Sequence, residues 1–164
     1  MKIAFTGSHG TGKTTSLYKL LYETKINNPN NSVHGIYEIA ATSPFKINLE
    51  STESSQLYIF SKQLEAEIFY TNKFDIVICD RTIMDCIAYS EYFGFKEFVN
   101  SIMPFCEHYI KTYDEIYFKK CENNNYCHND KIRIGDNDSY RIGVENCLLN
   151  LYEKMNYTKH LKFI

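Results

Sequence analysis

The sequence predicts an α/β fold in which a parallel sheet of about five strands carries helices on both faces. Three observations predict it. Short apolar runs alternate with amphipathic helix-length segments along the 164-residue chain, the rhythm that builds parallel sheets from βαβ units. The first run leads straight into the octet Gly7-Ser8-His9-Gly10-Thr11-Gly12-Lys13-Thr14, which opens a helical segment. The run over 76–79 is apolar and ends in Asp80. The length suits one domain over 1–164, with enough chain to bury a genuine core.

Strands are expected over 2–6, 33–39, 75–80, 115–118 and 160–164. Between them, 12–22 places Leu17, Leu20 and Leu21 on one side, and 54–70 spaces Leu57, Phe60, Leu64 and Ile68 by three and four residues, so both read as amphipathic helices. A third helix over 82–93 is closed by Gly94, and a fourth over 96–111 is interrupted by Pro104. The last, over 139–156, turns Val144, Leu148, Leu151, Tyr152 and Met155 inward. Residues 27–32 are Asn-rich with Pro29 and read as an exposed turn, whereas the polar insertion of about 121–140 follows the fourth strand, where an active-site lid belongs. There is no internal repeat.

The octet fits G-x-x-x-x-G-K-[ST] and lies between a strand and a helix, the context its chemistry needs. Its glycines let the backbone curl so that successive N–H groups point inward, and the helix behind presents its positive end to the same anion. This predicts a P-loop NTPase fold that binds ATP through Gly7 to Thr14 and the following Thr15, with Lys13 on the β- and γ-phosphates and Thr14 on Mg²⁺. Asp80 supplies the carboxylate that completes the magnesium site. Arg81 follows in the crevice at the sheet's carboxyl edge, where a guanidinium pairs with phosphate or carboxylate.

Composition narrows the partners. Net charge is −2, hydrophobic residues make up 44% and charged residues 23%, and 14 Tyr and 11 Phe accompany no Trp. These are ordinary globular values with no global positive field for nucleic acid or membrane. No apolar stretch reaches the roughly 20 residues of a membrane span, and a cytoplasmic protein is expected, in the host cytoplasm if phage-encoded. The six cysteines form no dense framework and read as free thiols. Cys121, Cys127 and His128 lack the tight spacing of structural zinc.

The run Asp80-Arg81-Thr82-Ile83-Met84-Asp85-Cys86-Ile87-Ala88-Tyr89 resembles the Asp-Arg-[Ser/Thr] segment of P-loop kinases acting on nucleosides and nucleotides. It is similar to the branch containing nicotinamide riboside kinases and small phage kinases. Glu38, Gln56, Tyr113-Asp114, Arg133 and Arg141 also fall where that branch places comparable residues. The resemblance implies that Lys13, Thr14 and Asp80 manage MgATP while Glu38 or Asp85 meets the acceptor. Glu38, one strand away from the loop, is the preferred base, since transfer needs a carboxylate to orient and deprotonate a hydroxyl. Asp85 lies four residues beyond Arg81 on the same helix face, and Tyr89 a turn further. Arg133 and Arg141 are expected to close over the phosphates as lid residues.

Two features depart from that branch. Ile39-Ala40-Ala41-Thr42-Ser43-Pro44 offers no arginine after Glu38 to grip an acceptor, and the sequence stops at Ile164 without a following loop to cradle adenine. The leading expectation is an ATP-dependent kinase for a nucleoside, nucleotide or related acceptor. The resemblance to phage kinases also admits a hydroxymethylated pyrimidine such as 5-hydroxymethyluridine in DNA, which needs a local basic groove. An ATPase switch without a small-molecule acceptor is the third reading.

Overall fold

A computed structural model describes residues 1–121 and 138–164. Five strands form one sheet: β1 (Lys2–Thr6), β2 (Val33–Ile36), β3 (Ile76–Asp80), β4 (Glu115–Phe118) and β5 (Leu161–Phe163). All neighbours are parallel, in the order β2-β3-β1-β4-β5. The helices are α1 (Lys13–Asn27), α2 (Glu53–Thr71), α3 (Ile83–Tyr92), α4 (Lys96–Tyr109) and α5 (Asp138–Lys154).

Period-two alternation along the strands sorts side chains onto two faces. Ile3 and Phe5 of β1 join Ile76 and Ile78 of β3 against Leu17 of α1. Leu17 is fully buried, which stabilises the fold by about 2 kcal/mol. Ala4, Val77, Cys79, Ile116 and Phe118 point the other way, into a larger core shared with α2, α3, α4 and α5. Both faces are covered as expected.

Register sets the site. Phe5 stands level with Asp80 on one side and Tyr117 on the other. The chain therefore leaves β1, β3 and β4 at one edge, and the strand order diverges there on either side of β1, which opens a crevice.

Several boundaries differ from expectation. β2 ends at Ile36, because Glu38 leads into a short 3₁₀ turn, Ile39–Thr42. α1 runs to Asn27 rather than 22, and Lys25 in its last turn donates to the carbonyls of Pro29 and Asn31. Pro104 lies inside α4 without ending it, on its exposed side. The largest correction concerns α2. Leu57 and Ile68 are exposed, while Gln56, Gln63 and Glu67 are buried beside Ile59 and Phe60.

Among the described residues, no helix is long and apolar enough to cross a membrane. Cys79, Cys86, Cys106, Cys121 and Cys147 are free thiols. Cys127, His128, Lys131 and Arg133, with most of the expected lid, lie outside the described residues.

Candidate active site

The octet forms a tight loop between β1 and α1. Gly7 has φ +135°, and a Cβ there would lie 2.3 Å from the Lys119 carbonyl oxygen, so only glycine lets the loop pass so close to the end of β4. Gly12 takes the left-handed conformation, φ 78°, as the cap of α1. Ser8, His9, Thr11 and Lys13 are buried, Gly10, Gly12 and Thr14 partly so, and Thr15 is exposed.

Lys13 Nζ donates to the Ser8 carbonyl at 2.6 Å and lies 3.4 Å from Thr11 Oγ1, curled over its own loop. Burial, with Arg81 nearby, lowers its pKa to about 8. A triphosphate in the loop supplies the negative charge this ammonium lacks.

Thr14 Oγ1 donates to Asp80 Oδ2 at 2.5 Å, which joins the first turn of α1 to the end of β3. Asp80 Oδ1 is buried without a hydrogen-bond partner, and burial raises the carboxyl pKa. A hydroxyl beside a carboxylate with one orphaned, desolvated oxygen fits a hard cation that takes oxygen ligands. Among the described residues, no group of three or more His, Cys, Asp or Glu could hold a metal ion; the Thr14–Asp80 pair fits Mg²⁺ that draws its remaining ligands from phosphate and water.

Arg81 follows Asp80 with φ +100°, a conformation that costs a non-glycine residue on the order of 1–3 kcal/mol. Its N–H donates to the Phe5 carbonyl at 2.9 Å, and its carbonyl accepts from Gln63 Nε2 at 3.3 Å. This backbone turn delivers the side chain to Glu38. Nε and Nη2 both donate to Glu38 Oε1, at 2.9 and 2.5 Å, and Nη1 donates to Asp85 Oδ1 at 3.4 Å. Burial works against the guanidinium charge, but Glu38, Tyr89, Asp85 and Asp80 outweigh it and hold the pKa well up.

Glu38 and Arg81 open onto a cleft of about 500 Å³, including the part open to solvent. His9, Tyr89, Tyr140, Gln56, Cys86, Ala40, Ile47, Asn48, Ser51 and Ile59 complete its lining. Asp85 does not line it. Fully buried, its carboxylate accepts from Thr6 Oγ1 at 2.7 Å, Thr82 N at 2.8 Å, Thr82 Oγ1 at 2.9 Å and Gly7 N at 3.3 Å. It closes a capping box at the start of α3 and ties that helix to the phosphate loop.

Arg141, in the first turn of α5, is buried. Its Nε donates to the His9 carbonyl at 3.3 Å, and Nη1 pairs with Asp138 at 3.1 Å. It thus ties the start of α5 to the loop backbone at His9. Lys119, not singled out from sequence, donates to Ser16 Oγ at 2.8 Å and reaches the Gly12 carbonyl at 3.5 Å. Its place just past β4, at the edge where ligands bind, is the signal that marks it. Tyr140 was equally silent in sequence; it packs on the His9 ring at 4.6 Å between centroids.

A phosphate loop, a hydrogen-bonded Thr14–Asp80 pair and a cleft walled by Glu38 and Arg81, all on one edge of a 2-3-1-4-5 parallel sheet, define a P-loop nucleotide-binding domain of the kinase-like kind. The chain belongs to the AAA domain family, whose model matches residues 2–161. No curated protein matches it.

Solved structures share the fold at low identity. Deoxyadenosine kinase from M. mycoides, bound to dCMP and dCDP, has a TM-score of 0.70 at 15% identity, covering 100% of this chain and 90% of that one. Thymidylate kinase from Ehrlichia chaffeensis gives 0.67 at 22%, covering 100% and 91%. NadR in complex with NR gives 0.75 at 17%, covering 99% of this chain and 45% of the larger NadR chain.

Proposed function

We propose that the protein is a phosphotransferase that moves the γ-phosphate of ATP to a nucleoside, nucleotide or related small acceptor. The observation that carries this reading is the second cleft: the phosphate loop and the Glu38–Arg81 pair share one crevice, and His9 belongs to both. The kinase fold of the neighbours, one bound to nucleotides and one to NR, supports it.

In this mechanism the loop N–H groups and Lys13 hold the triphosphate, with Thr14 and Asp80 as the residues that would hold Mg²⁺. Bound there, the ion would neutralise charge on the β- and γ-phosphates. Lys13 leaves the Ser8 carbonyl for the phosphates, and Arg141 fixes the loop backbone at His9. Arg81 orients Glu38 by bonding one carboxylate oxygen twice. Glu38 accepts the proton of the attacking hydroxyl, whose oxygen bonds the γ-phosphorus as the bond to the β–γ bridging oxygen breaks and ADP leaves.

The test is an acceptor panel with labelled ATP: nucleosides, nucleotides, and DNA carrying a hydroxymethylated pyrimidine. A small acceptor is expected to be labelled. Lys13→Ala is expected to abolish turnover, and Glu38→Gln to lower kcat by about 10²- to 10⁴-fold. MgATP binding without label in any acceptor would overturn the proposal, and ATP hydrolysis independent of acceptor would favour a nucleotide switch.

A further inference from the structure

We infer that His9 selects the acceptor: the cleft takes an uncharged, hydroxyl-bearing nucleoside, and His9 Nε2–H donates to one of its oxygens. This rests on the kinase reading above and goes beyond it by naming the acceptor class.

The first ground is the His9 ring. It lines the cleft, is 4% exposed, and its Nε2 has no hydrogen-bond partner. A buried polar nitrogen without a partner costs about 1–3 kcal/mol, which a ligand relieves.

The tautomer follows from Tyr89. The Tyr89 hydroxyl oxygen accepts from the His9 backbone N–H at 3.2 Å, and the Arg81 guanidinium lies 5.3 Å from the centre of the same ring. We assign the phenolic proton to His9 Nδ1, 3.0 Å away, so that the hydroxyl oxygen accepts from the backbone N–H and its proton goes to the ring. With Nδ1 accepting, a neutral imidazole carries its proton on Nε2. The ring stays neutral, because burial and the cations Arg81, Lys13 and Arg141 push its pKa down to about 3.

The second ground is charge. Among the described residues lining the cleft, the charged side chains are Arg81 and Glu38, and these are paired with each other. Among those residues a monophosphate dianion would meet the Glu38 carboxylate with no further cation to offset it, whereas a sugar hydroxyl or ring oxygen suits one neutral donor. Tyr89 and Tyr140 flank the same ring and supply flat apolar surface for a base.

The test compares nucleosides with their 5′-monophosphates in wild-type protein and in His9→Phe, which keeps an aromatic ring against Tyr140 but removes the donor. Nucleosides are expected to be preferred. His9→Phe is expected to raise the nucleoside KM about tenfold, the worth of one neutral hydrogen bond with its desolvated partner, with a smaller change for MgATP. His9→Gln, which returns an N–H near the same place, is expected to recover part of the loss.

Preference for monophosphates, or an equal loss for MgATP and nucleoside, would overturn the inference. Calorimetric binding of nucleoside separates the two readings. Nucleoside binding that weakens in His9→Phe, with no turnover in wild type, would uphold the His9 contact and sink the kinase. Turnover with unchanged nucleoside binding in His9→Phe would do the reverse.

Discussion

At the residue scale, Lys13 shows how a site is primed by what it lacks. In the free protein its ammonium lies buried on a single short bond to the Ser8 carbonyl, and its pKa stands near 8 against an ordinary value of 10.5. The unfolded chain thus holds this proton up to 10.5, while the folded protein releases it from about 8. Folded stability consequently rises with pH through that window, since the unfolded state binds more protons there. A triphosphate reverses the shift by favouring the charged form. MgATP binding at pH 8 is therefore expected to take up about half a proton, measured by calorimetry in two buffers of different ionisation enthalpy. Identical heats in both would show that Lys13 is already charged.

At the scale of elements, β1, the loop and α1 were legible in the sequence because every interaction that shapes them is local. The octet lies within eight residues, and Asp80 announced itself by ending an apolar run. α2 was misread for the opposite reason. Its leucine and isoleucine spacing pointed to Leu57 and Ile68, yet the buried stripe includes Gln56, Gln63 and Glu67, each with a partner outside α2: Cys86, the Arg81 carbonyl, and Lys2 with Tyr113. A pattern of apolar residues cannot register polar groups that are buried because they are paired.

Asp85 teaches the same lesson within the site. Sequence placed it one helical turn beyond Arg81, but Arg81 precedes α3 in a turn with φ +100°, and although Nη1 of Arg81 reaches Asp85, the carboxylate turns to Thr6, Gly7 and Thr82 rather than into the cleft. In the His9–Tyr89–Tyr140 cluster, which joins three elements, the octet marked His9 and the spacing from Arg81 marked Tyr89, but nothing local pointed to Tyr140 or to the contact among the three. Asp85→Asn keeps the shape and removes the charge that five donors meet. It is expected to destabilise the fold by about 1.5–3 kcal/mol in chemical denaturation and to weaken MgATP binding, since the Gly7 N–H loses its anchor. Unchanged MgATP affinity would show that α3 and the loop are independent.

At the scale of the molecule, function gathers at the carboxyl edge of the sheet and a buried ion pair secures the opposite edge. Lys2, at the start of β1, donates to Glu67 of α2 at 3.0 Å and to Thr112 Oγ1 at 2.6 Å, with its Nζ 4.0 Å from the centre of the Tyr113 ring. Glu67 also accepts from Tyr113 at 2.7 Å and Gln63 at 2.9 Å, and both charges are almost fully buried. Such a pair contributes little net stability compared with a well-packed apolar substitute, but removing one partner leaves an uncompensated charge in the core. Lys2→Met is therefore expected to cost about 3–5 kcal/mol, read by chemical denaturation. Adding Glu67→Gln is expected to recover much of that loss, so the double variant is less damaged than the sum of the singles. Because Lys2 stands at the far end of β1 from Gly7, MgATP affinity of the folded fraction is expected to hold within about twofold, below the 1.4 kcal/mol that marks a tenfold change. A parallel loss of affinity would mean that Gln63, which bridges Glu67 to the Arg81 carbonyl, carries the disturbance through α2 into the Glu38–Arg81 cleft, and the two edges would then have to be treated as one coupled unit.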